Sequence, residues 1–139
     1  MNILLVENQP ESETVTRSVI SAHKFRGELY HLTTVEKALH FLFHPENNAF
    51  VNSIGLILLD IDLPRLNGIK VLQKIKESHL KAIPTVVLTH SNEKAHVSIA
   101  YNNYVNSYIR RPDSIEAWQA LISKLMEYWT THNMAPCMC

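Results

Sequence analysis

Carboxylates, a hydroxyl and fixed positive charge close a series of apolar runs in this chain. Glu7 and Asn8 follow Asn2–Val6 (Asn-Ile-Leu-Leu-Val). Asp60 and Asp62 close Leu56-Ile57-Leu58-Leu59, Thr89 closes Thr85-Val86-Val87-Leu88, and Arg110 and Arg111 precede Pro112. Three carboxylates brought to one place repel unless a cation joins them. A hard divalent ion with oxygen ligands is the natural partner, and Mg²⁺ favours few carboxylates together with water and a phosphoryl oxygen. Asp60 taken alone is equally well read as a residue capping the next turn. The elements that carry these residues decide between the two readings.

Four branched apolar residues before Asp60 read as a strand buried on both faces, at the centre of a parallel sheet. Asn2–Val6, Gly27–Leu32, Leu56–Asp60, Thr85–Thr89 and Ser107–Arg110 read as five strands. The first helix is expected from Pro10, a residue suited to the first helical position, to about Lys24, with a stripe of Val15, Val19 and Ile20 closed by Ala22 or Phe25. Thr33 and Glu36 have capping-box spacing for a second helix ending near His44-Pro45, and Pro45–Ser53 reads as a polar loop. Further helices are expected from about Gly68 to Ser78, over roughly Asn92–Asn102, and after Asp113 and Glu116, which again have capping-box spacing. The last of these carries Trp118, Leu121, Ile122, Leu125 and Trp129 on one stripe. The result is an α/β fold, (βα)5: a doubly wound five-stranded parallel sheet with five helices and right-handed crossovers. Such sheets place their chemistry at the C-terminal ends of the strands, where Glu7, Asp60, Thr89 and Arg111 stand.

Composition excludes several classes. The 139 residues suit one domain, and 46% hydrophobic content is enough for a real core. Thirteen basic and thirteen acidic side chains cancel, so no nucleic-acid footprint is expected. The eight histidines are scattered without metal-ligand spacing. No run reaches membrane-spanning length, and Ile3–Val6 is too short for a signal peptide, so a cytoplasmic protein is expected. With only three glycines, at 27, 55 and 68, there is no glycine-rich phosphate loop. Cys137 and Cys139 could join His132 at a metal, but read better as part of a flexible, reduced tail over residues 131–139.

The ordered set over about residues 2–130 resembles the receiver domains of two-component response regulators: an acidic position after the first strand, Asp60 with Pro64 and Gly68 behind it, Thr89, and Arg111-Pro112. Leu-Leu-Asp-Ile-Asp-Leu-Pro, Ile-Pro-Thr-Val-Val-Leu-Thr and Glu127-Tyr128-Trp129 are similar to small single-domain regulators associated with bacterial phytochromes. The resemblance implies a CheY-like (flavodoxin-like) fold, Mg²⁺ held by Glu7, Asn8, Asp60 and Asp62, and phosphorylation of Asp60 by a sensor histidine kinase, a bacterial phytochrome in that subgroup. It implies that Thr89 and Arg111 contact the phosphoryl group, that Tyr108 changes rotamer with Thr89, and that the Arg111–Pro112 bond is cis. Output would pass to a downstream phosphotransfer or target protein. A homodimer through Tyr104, Tyr128 and Trp129 is implied as well, with Trp118 expected to cover the sheet.

Three residues depart from the family pattern. Asn8 stands where a metal-binding aspartate is usual; its amide can ligate but adds no charge, which Asp62 would partly restore. Arg111 replaces a lysine, and its planar fork could pair with Asp60 or Asp62 permanently. His90 replaces a very small residue and could gate access to Asp60, or simply face solvent. These departures keep open a phosphorylation-independent receiver acting as a binding module. A more remote alternative is a phosphohydrolase, from the Asp60-x-Asp62 spacing, although Pro64 stands where those enzymes place Thr or Val.

Overall fold

The alternation of apolar strand and amphipathic helix builds one five-stranded sheet. The structure, a computed structural model, describes residues 1–23, 25–63 and 67–136. Lys24, Pro64, Cys137 and Cys139, each named in the sequence reading, lie outside the described residues. The strands are β1 (Asn2–Val6), β2 (Leu29–Leu32), β3 (Ile54–Leu59), β4 (Thr85–Thr89) and β5 (Ser107–Arg110). All neighbours are parallel, in the order β2-β1-β3-β4-β5. The chain direction across the sheet reverses between β1 and β3, so the loops leaving these two strands diverge and open a crevice at their C-terminal ends.

Alternate residues of each strand feed two cores. Leu4, Val6, Ile57, Leu59 and Val87 face α2 (Val35–Phe43), α4 (Asn67–Lys76) and α5 (Lys94–Asn102). Ile3, Leu5, Leu56, Leu58, Val86 and Leu88 face α1 (Pro10–Ala22) and α6 (Ile115–Glu127). Every residue of β3 and β4 is buried, as expected of central strands covered on both sides. Each fully buried Leu or Ile here contributes about 1.5–3 kcal/mol. Trp118 is buried against the second core, as its place on the α6 stripe predicts.

The structure corrects the sequence reading in four places. Six α-helices are present among the described residues rather than five. The additional one, α3 (Asn48–Val51), follows a 3-10 turn over Pro45–Asn47 inside the stretch read as a loop. Tertiary packing makes it: Val51 is buried and Phe50 joins Tyr30 and Phe41 in an aromatic cluster. Both capping boxes are displaced by one residue. Thr34 and Ser114, not Thr33 and Asp113, accept the capping bonds from the Lys37 and Ala117 amides. Helix α1 ends at Ala22, and Ser12 and Thr16 are buried on it together with Ile20, while Val15 and Val19 pack against the second core partly buried. Finally, a π-helical turn over Tyr128–His132 carries the helical backbone beyond α6 into residues 131 and 132, the start of the stretch read as a tail.

Candidate functional site

The register of β1 against β3 brings the two principal carboxylates together. Val6 pairs with Leu59, so Glu7 and Asp60 are the next residues out on adjoining strands. The Asp60 amide donates to the Val6 carbonyl at 2.9 Å, and the Glu7 amide donates to the Leu32 carbonyl at 3.1 Å. Both side chains are almost wholly buried, Glu7 at 1% and Asp60 at 2% exposure. Asp60 Oδ1 accepts from the Asp62 amide at 2.8 Å, the local bond that Asp makes readily to the backbone two residues on. Asp60 Oδ2 and Glu7 Oε1 have no hydrogen-bond partner among the described residues. Gly68 lets α4 start directly on this turn, since a Cβ there would lie 2.5 Å from Ile61 Cα.

Burial pushes the Asp60 carboxyl above the ordinary aspartate range, against the Asp62 amide bond and the nearby Arg111 charge. Burial likewise raises Glu7, more than the Ser12 hydroxyl and the Arg111 guanidinium lower it. Two buried acids, each with an unpartnered oxygen, form a site that a hard cation would complete. The described residues hold no group of three His, Cys, Asp or Glu side chains arranged for a metal. The donor set is therefore two carboxylates with an amide close in sequence: Asn8 is exposed, next to Glu7.

Arg111 departs from the pairing expected of it. Its guanidinium turns to Glu7, not to Asp60 or Asp62: Nη2 donates to Glu7 Oε2 at 2.8 Å, and Nη1 donates to Gln9 Oε1 at 2.6 Å. The guanidinium lies 4.8 Å from the centre of the Trp118 ring. A flat, weakly hydrated cation suits this slot between a carboxylate and an indole. No peptide bond is cis among the described residues, so the Arg111–Pro112 bond is trans.

Asp62 is also placed differently. Its Oδ2 accepts from the Thr89 hydroxyl and, at 3.1 Å, from the His90 amide. The Tyr108 hydroxyl donates to the Ser91 carbonyl at 2.8 Å, and burial raises its pKa. Asp62, Thr89, Ser91 and Tyr108 thus form one hydrogen-bonded series along the exit of β4. The His90 side chain is exposed, with Nε2 3.5 Å from Arg111 Nη1.

Three residues take part in the site that the sequence reading did not assign to it. Gln9 and Trp118 hold Arg111, and His31 supports the acidic loop by donating from Nε2 to the Glu7 carbonyl at 2.8 Å. Gln9 lies in the loop between β1 and α1, two residues after Glu7. For His31 no local signal exists, because its partner is set by the pairing of β1 with β2.

The aromatic residues expected at a dimer surface divide. Tyr128 and Trp129 pack edge to face with centroids 5.1 Å apart, and they line a groove with Ser107, Ile109 and Leu121. Tyr104 stands at the end of α5 with 77% exposure and a positive φ of 64°.

Comparison with known proteins agrees with this arrangement. The response regulator receiver domain family matches residues 3–123. A probable methanogenesis regulatory protein, FilR2 of Methanothrix harundinacea, is 35% identical over 136 residues, covering 96% of this chain and 86% of the relative. Response regulator Rcp1 of Synechocystis is 32% identical over 130 residues, covering 91% of this chain and 87% of the relative. The crystal structure of the Mn²⁺-bound form of Rcp1 superposes with a TM-score of 0.89, at 29% identity and coverage of 97% and 98%. The phosphorylated cyanobacterial phytochrome response regulator RcpA superposes with a TM-score of 0.90, at 26% identity and 97% coverage of both chains. With its five-stranded parallel sheet, its buried acids on β1 and β3, and these relatives along nearly its whole length, the chain belongs to the response regulator receiver domain family and is homologous to the single-domain regulators of phytochrome two-component systems.

Proposed function

We propose that the chain accepts a phosphoryl group on Asp60 from a sensor histidine kinase, one of the phytochrome type, and signals by binding a downstream phosphotransfer or target protein. The observation that carries this reading is the buried, unpartnered Oδ2 of Asp60 beside the unpartnered Oε1 of Glu7. Asp60 Oδ2 is the nucleophile. It forms a bond to phosphorus as the bond from phosphorus to the donor breaks, and the donor leaves with the electron pair, as the dephosphorylated histidine imidazole, which takes up a proton, or as acetate from acetyl phosphate. The product is an acyl phosphate, with negative charge spread over the phosphoryl oxygens.

A divalent ion, Mg²⁺ in this reading, would be held by Glu7, Asp60 and Asn8. When bound, it supplies charge to offset that developing on the transferred group. Thr89 offers a hydroxyl to a phosphoryl oxygen. Arg111 supplies positive charge from behind Glu7 and leaves the acids close together at bearable cost. His90 is the access gate in this reading, its ring lying toward Arg111. The chain acts as a signalling protein that turns over nothing but its own phosphoryl group. Tyr104, Tyr128 and Trp129 contribute to a homodimer surface. Aromatic residues are enriched at such interfaces, and Tyr104 and Tyr128 are exposed.

Intact-mass measurement after treatment with acetyl phosphate and Mg²⁺ tests the reading. The mass should rise by one phosphoryl group, and Asp60→Asn should abolish the rise. Absence of any adduct at saturating donor and metal would transfer the assignment to the phosphorylation-independent binding module, in which the Glu7–Arg111 pair and the Asp62–Thr89 bond are permanent.

A further inference from the structure

The carboxylate of Asp62 sits on donors that a phosphoryl group would need. A hydroxyl and a backbone amide, Thr89 Oγ1 and the His90 N–H, converge on the single oxygen Asp62 Oδ2. Paired donors fixed by the end of a buried strand constitute an oxyanion site in chemical terms. Thr89 is itself wholly buried at the end of β4, so its hydroxyl has little freedom to serve a second anion elsewhere. Asp62 is tethered to the acceptor too, since its amide donates to Asp60 Oδ1 at 2.8 Å.

We propose that Asp62 is an internal competitor for the phosphoryl group: its carboxylate occupies the Thr89–His90 donor pair in the resting protein and must leave when Asp60 is phosphorylated. This rests on Asp60 being the acceptor. A phosphoryl group on Asp60 brings roughly one and a half to two negative charges and three strong acceptor oxygens next to Asp62. Two anions do not share one pair of donors, and like charges this close disfavour one another. Displacing Asp62 also disturbs the loop beyond it. Ser91 accepts from Tyr108 through its carbonyl, and its hydroxyl lies 2.5 Å from His96 Nδ1 on α5. The event at Asp62 therefore reaches both β5 and α5 through three consecutive residues, Thr89, His90 and Ser91. Asp62 acts through Thr89 and His90, so its role is positional rather than catalytic.

The test is a titration of the full chain with beryllofluoride, a phosphoryl mimic, at saturating Mg²⁺, followed by ¹⁹F NMR of the bound fluoride. Asp62→Ala should bind about five-fold more tightly or better, the scale of a typical coupling between sites. Asp62→Asn keeps the acceptor oxygen and loses the charge, so it should fall between parent and Asp62→Ala. The rate of labelling by acetyl phosphate should rise in the same order. A variant that merely damaged the fold would lose affinity rather than gain it, and far-UV circular dichroism of Asp62→Asn checks that the fold is intact. Equal or weaker binding by Asp62→Ala, with an adduct still formed, would overturn this proposal and leave Asp60 as acceptor. No adduct in any of the three proteins would overturn both.

Discussion

Arg111 Nη2 stands 2.8 Å from Glu7 Oε2 with both side chains buried, so one ion pair ties the exit of β5 to the exit of β1. These residues are 104 apart in sequence. Breaking such a pair leaves an uncompensated buried charge. Arg111→Ala is expected to lower stability by about 3–5 kcal/mol. Arg111→Lys keeps the charge but lacks the second prong to Gln9 and the flat face on Trp118. Losing one hydrogen bond to a charged group places that variant about 1.5–3 kcal/mol below the parent. Urea unfolding measures both. A lysine variant as stable as the parent would show that the fork geometry is immaterial.

Burial of Asp60 gives stability a definite pH dependence. The folded carboxyl holds its proton more tightly than the unfolded one, which titrates near 4. As pH rises from the unfolded value through the raised folded value, the folded state loses stability, and the full penalty is present above the folded value. Asp60→Asn removes that penalty. In metal-free buffer its melting temperature should match the parent near pH 4 and exceed it increasingly toward neutral pH. Each unit of displaced pKa corresponds to about 1.4 kcal/mol. A constant offset across this range would show that ionisation of Asp60 is not the cause.

Metal affinity should respond to Asn8. An aspartate there adds a third carboxylate close to Glu7 and Asp60, so Asn8→Asp is expected to bind Mg²⁺ at least several-fold more tightly by calorimetry. Without metal the same variant should be less stable than the parent, because it adds a like charge beside two buried acids. An unchanged affinity would place Asn8 away from the ion.

Tyr104 occupies a backbone position that favours glycine. Helix α5 ends in a Schellman motif: the Tyr104 amide donates to the Tyr101 carbonyl at 3.0 Å, and the Val105 amide to the Ala100 carbonyl at 3.2 Å. The residue between the helix and Val105 must be left-handed, and φ at Tyr104 is 64°. An exposed tyrosine there is strained without being held by burial. Tyr104→Gly should raise stability by up to about 1 kcal/mol. Sedimentation at micromolar concentration should show the same variant, and Tyr128→Ala with Trp129→Ala, shifted toward monomer. A variant both stabilised and fully dimeric would remove Tyr104 from the interface.

The elements, and the places of Asp60 and Thr89 at the ends of central strands, were legible in the residues alone. Leu56–Leu59 and Val86–Leu88 are apolar without interruption, and a central parallel strand requires just that, so Asp60 and Thr89 had to sit at strand ends. Alternation of such runs with helical stripes determined the α/β class, and Trp118 on the α6 stripe determined what covers the second face. Partner choice was decided only in three dimensions. Arg111 could reach Asp60, Asp62 or Glu7 by type and charge; the packing of its guanidinium on Trp118 and the adjacency of β1 selected Glu7. Asp62 could face a metal or a donor, and the meeting of its turn with the end of β4, 27 residues on, turned it to Thr89. Helix α3 formed because Phe50 had Tyr30 and Phe41 to pack on, a cluster that no local pattern announces. Strand runs and helix stripes come from interactions close along the chain, which sequence spacing records. Hydrogen-bond and ion-pair partners in the site lie tens of residues away, and only the stacking of β1, β3, β4 and β5 brings them within reach.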